Sequence, residues 1–201
     1  NSLGLRAGEK ITVADLLQAL LISSSNEAAQ ALANHSPLGP ENFITQMNQL
    51  ANTLHLADTT FVTPEGFDEP DQKTSAYDLA LLAQAMLKDP YLKTIVALPT
   101  TTISTTDGKI HTLNSTNHYL QTPPQIIKRA NPLSAAPAVT LTPHFYGVKT
   151  GTTPLAGAVL ISAVEINGRP LNLGVMGSLQ GYQDTTAMVE WSINNYHRQH
   201  Y

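Results

Sequence analysis

The sequence predicts an α/β domain of the α+β type, helical over about residues 12–98 and built of antiparallel strands with a closing helix over about 99–201. Three observations carry this. Apolar residues recur at helical spacing in successive stretches up to Leu98. The dipeptides Asp107-Gly108 and Asn167-Gly168 each join two strand-like stretches, a strong hairpin signal. The length, 201 residues, suits one domain that buries roughly 70% of the surface its unfolded chain exposes.

The first helix is marked by Thr12 and Asp15, a capping-box pattern, and by the stripe Val13, Leu16, Leu17, Leu20 and Leu21. The stripe stops at Ser23-Ser24-Ser25-Asn26, where three hydroxyls and an amide compete for backbone hydrogen bonds. An alanine-rich helix resumes from Glu27 to Asn34, and Pro37 to Pro40 forms a turn. The next helix spans about Glu41 to His55, with Phe43, Met47, Leu50 and Leu54 on one face. Ala57 to Lys73 holds Pro64, Gly66 and Pro70 and reads as irregular. Ser75 with Asp78 opens another helix, faced by Leu79, Leu82, Ala83 and Met86 and ended by Pro90; Tyr91 to Leu98 adds a short one.

The period then changes. Thr101–Thr105 and Lys109–Leu113 flank Asp107-Gly108 as a hairpin. Gln121 to Pro143 carries Pro123, Pro124, Pro132, Pro137 and Pro143 with little periodicity, which predicts a long surface loop. Strands follow at Tyr146–Thr152, Gly157–Ile166 and Leu171–Met176, and a last helix at about Asp184–Tyr196. There is no internal repeat.

Composition excludes several functions. A net charge of −4 and a pI near 5.9 leave no basic stripe for nucleic acid. With no cysteine, disulfides, thiolate nucleophiles and zinc–thiolate sites are excluded. The histidines are scattered, and His197 with His200 reads as a solvated helix end rather than a metal site, so no metal or cofactor is expected. No apolar run approaches the roughly 20 residues of a spanning helix. The opening, Asn1 to Lys10, carries neither Met nor a leader and reads as a loop or short hairpin approaching a helix, in a chain expected to have been cut.

No Gly-x-Ser-x-Gly elbow and no His-Glu-x-x-His motif occur. Two short motifs stand out together: Ser24-Ser25-Asn26, a Ser-x-Asn between two helices, and Lys149-Thr150-Gly151 on a predicted strand, continued by Thr152-Thr153. Each alone has a plain structural explanation. Ser24 with Glu27 is a good helix N-cap, and Lys-Thr-Gly is an ordinary strand end. Their order and their helix and strand contexts match the penicillin-recognising serine enzymes, which use this pair with a third element, Ser-x-x-Lys.

The resemblance extends over nearly all of the chain. Thr12 to Ala29, Phe61-Val62-Thr63-Pro64-Glu65-Gly66-Phe67-Asp68, Thr74 to Ala80, the stretch around Asn117, and Gly147-Val148-Lys149-Thr150-Gly151 with Ala156-Gly157 are similar to corresponding segments of the serine D-alanyl-D-alanine carboxypeptidases, peptidase family S11. The resemblance implies a β-lactamase/D,D-peptidase-like fold, with an antiparallel sheet flanked by helices and a helical subdomain. It implies removal of the terminal D-alanine from peptidoglycan stem peptides through an acyl-serine ester, with β-lactams trapping that ester. Ser24 would relay a proton, and Asn26 would orient the substrate. Lys149 and Thr150 would hold the substrate carboxylate, with Gly151 allowing close backbone approach. Thr152 would offer its main-chain N–H to the oxyanion, and Thr153 would continue the binding strand. An extracytoplasmic location follows from the resemblance alone.

No lysine of the chain has a serine three residues before it. The nucleophile, its lysine and the preceding strands are therefore expected to be missing, and the isolated chain to be inactive. The exposed seat of that helix predicts a partner: the missing N-terminal segment or a second copy. Ser25 replaces a usual Gly, Tyr146 a common Asp, and Tyr182 stands near a position that often holds an arginine for the carboxylate. Two alternatives remain open: a D,D-endopeptidase of the same family, and a non-catalytic peptidoglycan-binding or regulatory domain.

Overall fold

Local signals place the helices close to where the sequence expects them, although one begins at Gly39, inside the expected Pro37–Pro40 turn, and another on Pro90 itself. A computed structural model of the chain describes residues 2–6, 8–128, 139–166 and 168–195. Helix α1 (Val13–Ser23) opens on Thr12, whose hydroxyl accepts from the Asp15 N–H at 3.0 Å and donates to the Asp15 carboxylate at 2.7 Å. Helix α2 (Asn26–His35) is capped one residue later than expected. Ser25, not Ser24, accepts from the Ala28 N–H, at 3.2 Å. Helices α3 (Gly39–Thr53), α4 (Ala76–Met86) and α5 (Pro90–Ile95) follow. Ser75 caps α4 through the Asp78 N–H at 3.2 Å, and Asp89 caps α5. The stripe of α1 buries Leu16, Ala19 and Ile22 against Ala28, Ile95 and the hairpin residues Ile103 and Leu113.

Strands β1 (Thr100–Ser104) and β2 (Ile110–Asn114) pair antiparallel across the Asp107-Gly108 turn. The stretch 121–143 is not all loop. Strands β3 (Ile126–Lys128) and β4 (Val139–Leu141) pair within it, Ile126 opposite Leu141, and Ile126 is fully buried. Three-residue strands bounded by prolines are too short to show alternation, so the sequence pattern missed them. Pro132 and Pro137 lie outside the described residues, as do His197 and His200.

The main sheet is β5 (His144–Thr153), β6 (Gly157–Ile166) and β7 (Arg169–Met176), antiparallel in that order, with β5 at the edge. Helix α6 (Gly181–Asn195) starts before the expected Asp184. Alternation along β6 assigns the faces. Leu160 and Val164 pack with Phe145, Leu173 and Val189 under α6, while Ile161 and Ala163 pack with Val148 and Ala83 under α4. α4 comes close to the sheet because β7 has Gly174 beneath it. A Cβ there would lie 2.3 Å from the Ala76 carbonyl oxygen.

One irregularity aims the site. Tyr146 pairs with Ala163 but Lys149 pairs with Ile161, so β5 spends three residues where β6 spends two. Strict alternation would turn Lys149 to the α6 side. The bulge turns it to the α4 side with Ile161. Gly147 lies in that bulge, where its N–H donates to the Val96 carbonyl at 3.0 Å and a Cβ would crowd Leu120 at 2.7 Å.

Candidate active site

α1 ends in a sharp turn. Ser24 takes a left-handed conformation, φ 57° and ψ 42°, uncommon for a serine. Such strain, of order 1–3 kcal/mol, persists where neighbours over-determine the backbone. Here the Ser25 N–H donates back to the Ala19 carbonyl at 3.2 Å, and the fully buried Ser25 hydroxyl starts α2. Ser25 itself is extended at φ −69° and ψ 116°, so the turn needs no glycine at that position.

The turn brings Ser24 against β5. The Lys149 ammonium donates to the Ser24 hydroxyl, across 125 residues of sequence, and to the Thr150 carbonyl at 2.5 Å. Burial pushes the Lys149 pKa down to about 8. Thr150 makes a 2.5 Å hydroxyl–hydroxyl bond to Thr116. Thr152 is exposed and turns its hydroxyl to the Gly151 carbonyl at 2.8 Å. The Thr153 hydroxyl donates to Asp68 at 2.5 Å. Asn26 stands at the first position of α2, beside the turn, and its amide makes no hydrogen bond among the described residues. The structure thus brings Ser24, Lys149 and Thr150 together and sets Asn26 and the 151–153 strand end alongside.

The sequence pattern missed two contributors. Asp68 accepts from both Thr153 and the Leu155 N–H, the latter at 3.1 Å, so the Pro64–Asp68 loop clasps the β5–β6 turn. Thr116 was hidden inside the stretch singled out for Asn117. Asn117 is buried, donating to the Gly147 carbonyl at 2.7 Å and accepting from the Tyr119 N–H at 3.0 Å, which fixes its neighbour Thr116 beside β5. The anticipated departures also find places. The ring of Tyr146 lies under the Lys93 ammonium at 4.7 Å, and Tyr182 stacks on His118 at 5.1 Å.

Beside this polar edge lies an apolar cleft of about 680 Å³, walled by Leu20 and Leu21 of α1, Leu82 and Met86 of α4, and Val148 and Ile161 of the sheet. Lys149 and Thr150 open into it. Among the described residues no group of three acidic, histidine or cysteine side chains could hold a metal ion, and no helix is long and apolar enough to cross a membrane.

Known proteins share this arrangement of chain. The D-alanyl-D-alanine carboxypeptidase DacD of Escherichia coli is 43% identical over 83 residues, 41% of this chain and 21% of the relative. The D-alanyl-D-alanine endopeptidase of Pseudomonas aeruginosa is 31% identical over 191 residues, 92% of this chain and 55% of the relative. The matches therefore span about half or less of these curated relatives. The crystal structure of the Streptomyces K15 DD-transpeptidase superposes with a TM-score of 0.77 at 26% identity, covering 96% of this chain and 71% of that one. The antiparallel sheet between helices is thus the D,D-peptidase fold the resemblance implied. The sequence profile of peptidase family S11, described as D-alanyl-D-alanine carboxypeptidase, matches residues 1–180, and the chain belongs to that family.

Proposed function

We propose that the chain is the larger part of a serine D,D-carboxypeptidase catalytic domain, which removes the terminal D-alanine of peptidoglycan stem peptides in the cell envelope and is acylated by β-lactams. The observation that carries this is the Lys149–Ser24 contact, made by an edge strand on a strained turn at the mouth of a cleft.

The roles follow from the chemistry of these groups. With its pKa near 8, Lys149 is largely protonated at neutral pH, so it can attract a terminal carboxylate and can pass a proton through the Ser24 hydroxyl to a leaving amine. Thr150 supplies a hydroxyl donor beside that cation. Gly151 keeps the strand free of a side chain where substrate backbone would lie. The Thr152 N–H is offered to the developing oxyanion and Thr153 extends the binding edge. Asn26 orients the substrate amide from the first turn of α2.

The attacking serine has no counterpart here, because residues 1–201 contain no Ser-x-x-Lys. We assign the apolar cleft to a helix bearing that motif, whose apolar face would cover Leu82, Met86 and Ile161 and whose serine would emerge beside Lys149. A D,D-endopeptidase reading is favoured by the Pseudomonas relative, which matches nearly the whole chain. The test is product analysis after the Ser-x-x-Lys segment is supplied. Release of D-alanine from a monomeric pentapeptide supports the carboxypeptidase, cleavage confined to cross-linked dimers supports the endopeptidase, and turnover of neither overturns both.

A further inference from the structure

We infer that Thr116 is a positioning residue of the substrate-carboxylate subsite, setting the direction in which Thr150 donates its single hydroxyl proton. The inference rests on the proposed D,D-peptidase reading and adds a residue to it.

A threonine hydroxyl has one proton and two lone pairs. When Thr116 and Thr150 share a 2.5 Å bond, one of them donates and only the donor's partner keeps a free proton. A carboxylate at Lys149 resolves the choice. Donation from Thr116 to Thr150 leaves the Thr150 proton for the anion, and the two bonds polarise each other in series. Donation in the opposite sense would present lone pairs to a negative charge. Thr116 is therefore placed to act on the substrate through Thr150.

The surroundings hold Thr116 for this task. Its N–H donates to the Ile22 carbonyl at the end of α1, at 3.2 Å. Its carbonyl accepts from the Tyr182 hydroxyl at 3.4 Å, and that same hydroxyl accepts from the His118 N–H at 3.1 Å. Asn117 locks the next residue to β5. Tyr182, standing near the position where an arginine was anticipated, brings no charge. It braces the backbone that presents Thr116.

The test compares acylation by benzylpenicillin with acylation by its carboxamide, using the protein with its Ser-x-x-Lys segment in place. The parent should react faster with the acid. In Thr116→Val, which keeps the shape and removes the hydroxyl, the acid-to-amide ratio of second-order rate constants should fall about five- to tenfold, the scale of one hydrogen bond to a charged group. Thr116→Ser should keep the parent ratio. Thr116→Val added to Thr150→Val should lower it no further than Thr150→Val alone. An unchanged ratio in Thr116→Val, or equal losses on acid and amide, overturns the inference while leaving the peptidase reading intact. A parent that is never acylated overturns the reading and the inference together.

Discussion

The two walls of the cleft are held in opposite ways. The β5 wall is pinned by polar contacts at each step: Gly147 to Val96 and Asn117, Lys149 to Ser24, Thr150 to Thr116, and Thr153 to Asp68. The α4 wall meets the cleft with Leu79, Leu82 and Met86, half-buried apolar side chains whose cleft side faces open volume. A pinned wall has little room to relax, so small changes there cost much. A wall facing an unfilled cleft can lose methylene groups cheaply, because there is less packing to lose. The β5 wall thus supplies precision, and the α4 wall supplies a seat.

The largest loss is expected from Gly147→Ala, on the pinned wall. The added Cβ would press on Leu120 and on the Val96 carbonyl at 3.1 Å, and urea denaturation should show a loss of about 2–3 kcal/mol. A near-neutral result would mean that the bulge is not rigid. Asn117→Ala strands the Gly147 carbonyl and the Tyr119 N–H. The expected loss is about 2 kcal/mol by the same assay.

Lys149→Met should move the other way. Burial of the ammonium lowers its folded pKa to about 8, so the folded state carries a charge it disfavours at pH 7. The unfolded lysine titrates near 10.4, and the penalty is therefore present below pH 8 and fades between pH 8 and about 10.4. With allowance for partial exposure, the variant should gain about 1–2 kcal/mol at pH 7 over the parent, and the gain should vanish near pH 10.5. A variant less stable at both pH values would show that the Ser24 and Thr150 bonds outweigh the burial.

On the far side of the sheet, Ser162 is fully buried and its hydroxyl has no partner among the described residues. Ser162→Ala should raise stability by up to about 1 kcal/mol, read as a higher thermal midpoint. The smallest change is expected on the open wall, where Leu82→Ala should cost less than about 1 kcal/mol, against the 2–5 typical of a packed leucine. A cost in the packed range would mean that α4 is already seated.

Much of this was legible in the sequence because its causes are local. Thr12 and Ser75 announce their helices through caps, Asp107-Gly108 announces a hairpin, and the paired motifs single out Ser24, Lys149 and Thr150. What stayed hidden depends on residues far apart in the chain. The bulge that turns Lys149 to the α4 face shows only against the register of β6. Thr116 and Asp68 lie in stretches that carry the resemblance, but their partners Thr150 and Thr153 stand 34 and 85 positions away, and no local pattern joins them. The β3–β4 pair was lost because three residues cannot show a period of two. Ser24 and Ser25 offer the same capping chemistry to the sequence, and only the left-handed backbone at Ser24 decides that Ser25 caps α2.

The most direct measurement is the intact mass of the 201-residue chain after incubation with benzylpenicillin, alone and with the Ser-x-x-Lys segment added. The expected result is no adduct on the chain alone, and a single penicilloyl adduct on the segment's serine when the two are combined. An adduct on residues 1–201 alone, with Ser24 the first position to map, would contradict it by placing the nucleophile within this chain.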